Sequence, residues 1–425
     1  LRAFTCYAEN GDADRAVAVA EYPIAGFGFG RPTGIGPMIE KALDMVQPDS
    51  HEAGRLLSRY GRVLGMEQGD YDGAENAFGR ALAIARREGD MSLEMRTLTL
   101  GANIDVFHLR PTEAQEKSKR AIELASRARD LTTEVAARFW AANAMGALGD
   151  LEDVRPNLAH LLDGAERLGD IYWLASALWR YETASSLIGD WQAARGFSDR
   201  GLSIFSTDYR LMATRVILEY ESGEYEAGAA YADQLLELTR LNSGQPTSGF
   251  GLTAIVLPLV AEITARTDYL EIAQTIADTI LSSPLSTPLV AMDARTGLAL
   301  LAVQRGDRSI AEEQYAAIKA GWGQQDVRMS SHFPYAVNDR VLGRLAHTLG
   351  NLDQAATHFE DALGYCRKAG YRPELAWTCC DYTDTLRERD AEGDRAKSIV
   401  LLDESLAISN VLGMRPLMER VLARK

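Results

Sequence analysis

At 425 residues, 46% of them hydrophobic, the chain has ample apolar material for a core. Its formal charge of −15, from 60 acidic against 45 basic residues, argues against sequence-independent nucleic-acid binding and against an anionic membrane surface. The 13 prolines and the scarcity of Val/Ile/Thr runs favour helix over sheet.

In chain order, Leu1 to Ala8 reads as a partial helix and Gly11-Asp12 as the first turn, with Ala16 and Ala20 on the following helix. The chain opens at Leu1 without a Met, inside helical sequence, so a fragment of a longer protein is expected. Tyr22 to Pro37 is the least regular segment, rich in Gly and Pro. A helix resumes from Met38 to Val46, and Pro48-Asp49-Ser50 caps another that runs to about Gln68.

From there the punctuation is regular. Turns inside helix pairs are expected at Gly69-Asp70, Arg110-Pro111, Gly149-Asp150, Gly189-Asp190, Gly223-Glu224, Thr267-Asp268, Gly306-Asp307, Gly350-Asn351 and about Asp390 to Asp394. Turns between pairs fall at Gly89-Asp90, Gly169-Asp170, Gly370 and Gly413. Leu241 to Ser248 and Ser282 to Pro288 read as longer inter-pair loops. The period is near 40 residues, which gives about ten antiparallel pairs in one array over 1–425. Residues 11–68 would be irregular repeats, 69–412 regular ones and 413–425 a C-terminal capping helix. One hairpin cannot bury its apolar face alone, so stacked neighbours share a continuous core.

Two phrases carry a family resemblance. Gly69-Asp70-Tyr71, with Ala74, Phe78, Ala81 and Leu82, resembles the second-helix half of a tetratricopeptide repeat. Leu342-Gly343, Ala346 and Gly350-Asn351, followed by Ala355, Phe359 and Ala362, resemble nearly a full repeat. The period near 40 departs from the usual 34. Longer helices of this kind, and the ending from Leu406 to Leu422, are similar to the sensor region of MalT-like and LuxR-type regulators. The resemblance implies an all-α, right-handed α-solenoid. It further implies a cytoplasmic module that senses an inducer or partner for a bacterial signalling or transcriptional regulator.

Catalytic chemistry is hard to find. The six histidines show no metal-ligand spacing, and there is no P-loop and no Gly-x-Ser-x-Gly elbow. Asp70, Asp90, Asp150 and Asp170 read as helix caps. Lys117, Lys119 and Arg120 read as an ion-paired face with Glu113, Glu116 and Glu123. No cofactor, metal or enzyme activity is expected. The four cysteines, Cys6, Cys366, Cys379 and Cys380, are too few for a disulfide framework and fit reduced thiols. The longest apolar run, Phe250 to Ala261, contains Pro258 and is too short to cross a bilayer.

The inner surface remains. With each turn glycine as register mark, inward positions include Arg59, Phe107, His108, Phe139, Asn143, Trp179, Arg210, Tyr220, Arg340, Arg344, His347, Trp377 and Arg387. Aromatics and arginines are the composition of binding hot spots. Arg340, Arg344 and His347 share a helical face, and Trp377, Arg387 and Asp384 are expected to face them. Such a wall would take a protein or peptide segment, or a small anionic effector. Against this, the aromatics could pack between helices and the arginines could pair with Asp339 and Asp384. The array would then be a scaffold or homo-oligomer without a ligand. The Trp322 to Tyr335 loop is the next candidate.

Overall fold

The computed structural model describes residues 2–22, 33–241, 248–322 and 336–425, except the side chains of 151–153 and 322. The Gly/Pro stretch 23–32, the linker 242–247 and residues 323–335 of the expected loop lie outside the described residues.

The described residues form twenty-two helices and no strand. The chain enters through α1 (Arg2–Glu9), α2 (Ala13–Glu21) and α3 (Gly36–Leu43). Pairs follow: α4 (His51–Glu67) with α5 (Tyr71–Glu88), α6 (Met91–Phe107) with α7 (Pro111–Ala128), and α8 (Leu131–Leu148) with α9 (Leu151–Leu168). Then come α10 (Ile171–Ile188) with α11 (Trp191–Ile204), α12 (Tyr209–Glu221) with α13 (Tyr225–Leu241), and α14 (Ser248–Thr264) with α15 (Thr267–Ser282). The last are α16 (Pro288–Arg305) with α17 (Arg308–Trp322), α18 (Asn338–Thr348) with α19 (Leu352–Ala369), and α20 (Arg372–Arg389) with α21 (Asp394–Leu412). Helix α22 (Arg415–Leu422) closes the array. The architecture is an all-α solenoid.

The turns follow from left-handed residues. Gly69, Gly149, Gly189, Gly223, Gly306 and Gly350 all have positive φ, as a chain leaving a helix requires. Where the sequence offers no glycine, Leu109 (φ 60°), Ala265 (φ 57°) and Asp390 (φ 47°) take the same conformation. Asp70, Asp90 and Asp170 then cap the next helix, accepting from the amides of Gly73 (2.8 Å), Leu93 (2.9 Å) and Trp173 (3.1 Å). Asp150 and Asn351 hold the cap position without a side-chain hydrogen bond.

The two helices of a pair differ in kind. Second helices carry one buried stripe, such as Ala74, Ala77, Phe78, Ala81, Ile84 and Ala85 on α5. First helices are buried almost all round: α14 buries Phe250, Leu252, Ile255, Val256, Leu257 and Val260. First helices therefore form an inner layer and second helices an outer one. Small residues set the spacing within pairs. A Cβ at Gly61 would lie 2.7 Å from the Phe78 ring, and one at Gly343 would lie 3.1 Å from Phe359. The inner layer has a closer approach still. Pro258 lacks the N–H that would bond the Ala254 carbonyl within α14. Gly297 of α16 passes so near that a Cβ would sit 2.3 Å from that oxygen.

The ribbon also meets itself. Helix α6 touches α16, α10 touches α20 and α12 touches α22, each ten helices, or five pairs, further along. The edges interlock: Gly149 lies under Tyr365, Gly189 under Leu412 and Gly223 under Arg415. Trp191 donates its indole N–H to the Leu412 carbonyl at 2.8 Å. The inner layer is consequently a core for much of its length, where an open groove was expected.

Candidate functional site

The inward positions gather into two clusters. The first is an aromatic and arginine cage. Phe139, Trp140 and Asn143 come from α8, Trp179 from α10, Tyr209 and Arg210 from the start of α12, and Ser248 and Leu252 from α14. Together they line a cleft that leaves about 10 Å³ for the centres of water-sized molecules. That is room for roughly one water.

Asp208 builds the site. As N-cap of α12 it accepts from the Arg210 amide at 2.9 Å. The same carboxylate takes Arg210 Nε at 3.0 Å and Nη2 at 2.6 Å, a two-point clamp. Burial works against the guanidinium charge, but Asp208 outweighs it and holds the Arg210 pKa above its ordinary value. The third nitrogen, Nη1, is buried and makes no hydrogen bond of ordinary geometry, although the Tyr172 hydroxyl interacts with the guanidinium. Arg210 lies 5.3 Å from the Trp179 ring centre and 5.2 Å from that of Tyr172. Arg180 covers Trp179 as well, at 5.2 Å, so the indole carries two guanidiniums. Gly146 makes room for Arg180, because a Cβ there would lie 2.8 Å from its Nη2. Burial pulls the Arg180 pKa down to about 10 and pushes Tyr172 up to about 12. Phe139 bridges the aromatics, 4.9 Å from Trp140, 6.3 Å from Trp179 and 5.8 Å from Trp173, and Phe107 reaches Trp140 at 6.2 Å.

Phe107, Phe139, Asn143, Trp179 and Arg210 are thus brought together. Chemically the cage offers π faces and one buried cationic donor. That chemistry is complementary to an anionic oxygen.

The second cluster joins the C-terminal pairs to the middle of the chain. Arg340 donates to Glu374 (2.8 Å) and Asp381 (2.9 Å), and Arg344 to Glu262 (3.0 Å) with Asp381 at 3.6 Å. Arg420 of α22 reaches Glu262 and, at 3.1 Å, Asp381. Trp377 lies under both Arg340 and Arg420, 5.5 and 5.4 Å from the ring centre. The expectation of an open basic wall at Arg340 and Arg344 is therefore corrected. Both are buried and held by the chain's own carboxylates, and these are Glu374, Asp381 and Glu262 where Asp339 and Asp384 were expected. Burial raises the pKa of Glu221 to about 7 and also raises that of Glu374, whereas the three arginines overcome burial and hold Asp381 well below its ordinary value.

The remaining positions stand apart. Arg59 donates to the Ala20 and Tyr22 carbonyls at 2.7 and 2.6 Å, and His108 contacts the Gly65 carbonyl at 2.8 Å. Tyr220 is buried beside Gly228. His347 contacts Thr385 at 3.0 Å and Glu388 at 3.4 Å. Arg387 is exposed and donates to the Arg424 carbonyl. Lys117 turns inward to Glu75 (2.7 Å) and Asp105 (2.9 Å). Sequence reasoning missed Tyr209, Arg180, Glu221, Glu262, Glu374, Asp381 and Arg420. A signal existed for some of them: Arg180, Glu221 and Asp381 are charged residues inside helices otherwise buried all round. Among the described residues no group of three or more His, Cys, Asp or Glu could hold a metal ion, and no helix is long and apolar enough to cross a membrane.

No family model matches the chain. No curated protein matches it either. Among solved structures, the chain is similar to a Rap protein complexed with competence and sporulation factor, at 12% identity, 86% of this chain, 96% of that chain and TM-score 0.45. It is similar to yeast Tom70 at 14% identity, 93% of this chain, 90% of that chain and TM-score 0.45. The tetratricopeptide-repeat domain of P58(IPK) gives 11% identity, 99% of this chain, 95% of that chain and TM-score 0.28.

Proposed function

We propose that the chain is a non-enzymatic binding module whose inner cage receives a protein segment or small effector through an anionic group. In a parent protein it would act as the cytoplasmic sensor region of a bacterial signalling or transcriptional regulator. The observation that carries this reading is Arg210: a buried guanidinium with two nitrogens clamped by Asp208 and the third, Nη1, without a hydrogen bond of ordinary geometry beside a cleft of aromatic side chains. A buried donor left without a partner costs stability, so its retention fits a ligand oxygen that completes it. The narrowness of the cleft makes binding depend on a small separation of α8, α10 and α12. The acidic surface, at −15 overall, fits protein or effector partners better than nucleic acid.

The test is thermal unfolding of the wild-type chain and of Arg210→Met against a panel of short acidic peptides, carboxylates and phosphate esters. At least one compound is expected to raise the midpoint of the wild type and leave Arg210→Met unmoved. A panel without effect, or an equal effect on both, contradicts the reading. The rival, a scaffold without a ligand, is favoured by the second cluster, where the inner wall is filled by the chain's own ion pairs.

A further inference from the structure

The second cluster recognises a helix. Helix α22 seats Met414, Leu417 and Val421, all with no exposed surface, against Trp191, Leu218 and Trp377. Arg420 of α22 and Arg424, in the turn that follows it, are four residues apart and both meet carboxylates of the array body. Arg420 reaches Glu262 and Asp381, while Arg424 takes Asp384 at two points, 2.9 and 2.8 Å. Apolar residues at i and i+4, alongside arginines at i and i+4, are the anchors of a helix laid in a groove.

The body does not depend on α22 for charge balance. Each carboxylate that Arg420 reaches has a second arginine from α18: Glu262 keeps Arg344, and Asp381 keeps Arg340 and Arg344. Departure of α22 therefore leaves neither acid unpaired. It leaves two arginines, Arg340 and Arg344, among four buried acids, Glu221, Glu262, Glu374 and Asp381, with the Asp384 carboxylate vacated at the rim. Even with Glu221 protonated, Glu262, Glu374, Asp381 and the vacated Asp384 outnumber the two arginines, so that floor is net acidic and favours a cationic occupant.

We infer that this acidic floor, between α12, α14 and α20, is a docking surface for an amphipathic helix of a partner protein carrying two arginines one turn apart, and that α22 occupies it in cis until displaced. The polarity is the reverse of a groove that takes acidic peptides, and the site is separate from the Arg210 cage.

The test uses the full chain and, as probe, a labelled peptide of residues 413–425. Weakening the cis helix with Arg420→Ala plus Arg424→Ala should raise the peptide's affinity at least tenfold over the wild-type chain. A peptide with glutamate in place of Arg420 and Arg424 should not bind. Equal affinity in the two chains, or binding of the glutamate peptide, overturns the proposal. A dimer of the doubly substituted chain that excludes the peptide also overturns it, since the occupant would then be a second copy. If circular dichroism shows that the substituted chain has lost its helices, amide hydrogen exchange on the wild type decides. The amides of Met418 to Val421 should exchange at least tenfold faster than those of Leu342 to Ala346, and equal protection overturns the proposal.

Discussion

Trp377 donates its indole N–H to both carboxylate oxygens of Glu221 at 2.8 Å, across 156 residues of chain. The pair ties the C-terminal third of the array to its middle, and it is buried on both sides. Trp377→Phe removes the donor and leaves the acid in place. Urea unfolding should show a loss of about 1–3 kcal/mol, the cost of a buried polar group without its partner.

Glu221 also makes stability depend on pH. Its pKa is raised by burial from 4.5 to about 7, so the folded chain keeps a proton that the unfolded chain releases in between. The cost is absent below about pH 4.5, grows as pH rises and is complete above about pH 7. Glu221→Gln should therefore match the wild type near pH 4 and exceed it near pH 8 by up to about 3 kcal/mol. Parallel stability curves for the two chains across that window would refute the assignment.

Arg344 and Arg387 were grouped on one wall by sequence, and the structure separates them. Arg344→Met takes one of two arginines from Glu262, which keeps Arg420, and one of three from Asp381, and should cost about 1–3 kcal/mol. Arg387→Ala touches an exposed backbone contact and should stay within about 0.5 kcal/mol. Substituting Arg340 and Arg344 together leaves Glu374 without its arginine and Arg420 alone on Glu262 and Asp381, so a lost response would not by itself report on ligand binding.

Packing gives a graded series. Gly297→Ala drives a methyl into the Ala254 carbonyl and should cost about 3 kcal/mol or more, because backbone cannot step aside. Ala355→Leu, at a position with no exposed surface, should cost about 1–3 kcal/mol. Gly364→Ala meets nothing within 4 Å and should be neutral or slightly stabilising. The reverse order in denaturant midpoints would mean that the helix register is wrong.

Thiol reactivity supplies an independent check of the C-terminal core. Cys366, Cys379 and Cys380 are buried, and burial raises all three thiols, Cys380 to about 12. Cys6 is exposed. Ellman's reagent should titrate one thiol in the native chain and four in denaturant.

The turns were legible because their physics is local. A glycine that ends one helix and an aspartate that starts the next announce themselves within three residues, as at Gly69-Asp70 and Gly189-Asp190. The stripe of Ala74, Phe78 and Ala81 was legible for the same reason. The turn register also placed Phe139, Asn143, Trp179 and Arg210 on the inner layer, where they meet. What the sequence did not reveal is the closure of the ribbon on itself. No periodicity within a helix reports that Trp377 meets Glu221, or that Arg344 meets an acid 82 residues away. An open groove was therefore expected where a packed core stands.

The Arg210 cage is proposed to bind an anionic group. The most direct measurement is calorimetric titration of the compound that most stabilises the wild-type chain, into wild type, Arg210→Met and Arg387→Ala. One site per chain is expected, with affinity weakened at least tenfold by Arg210→Met and unchanged by Arg387→Ala. Equal affinity in wild type and Arg210→Met would contradict it.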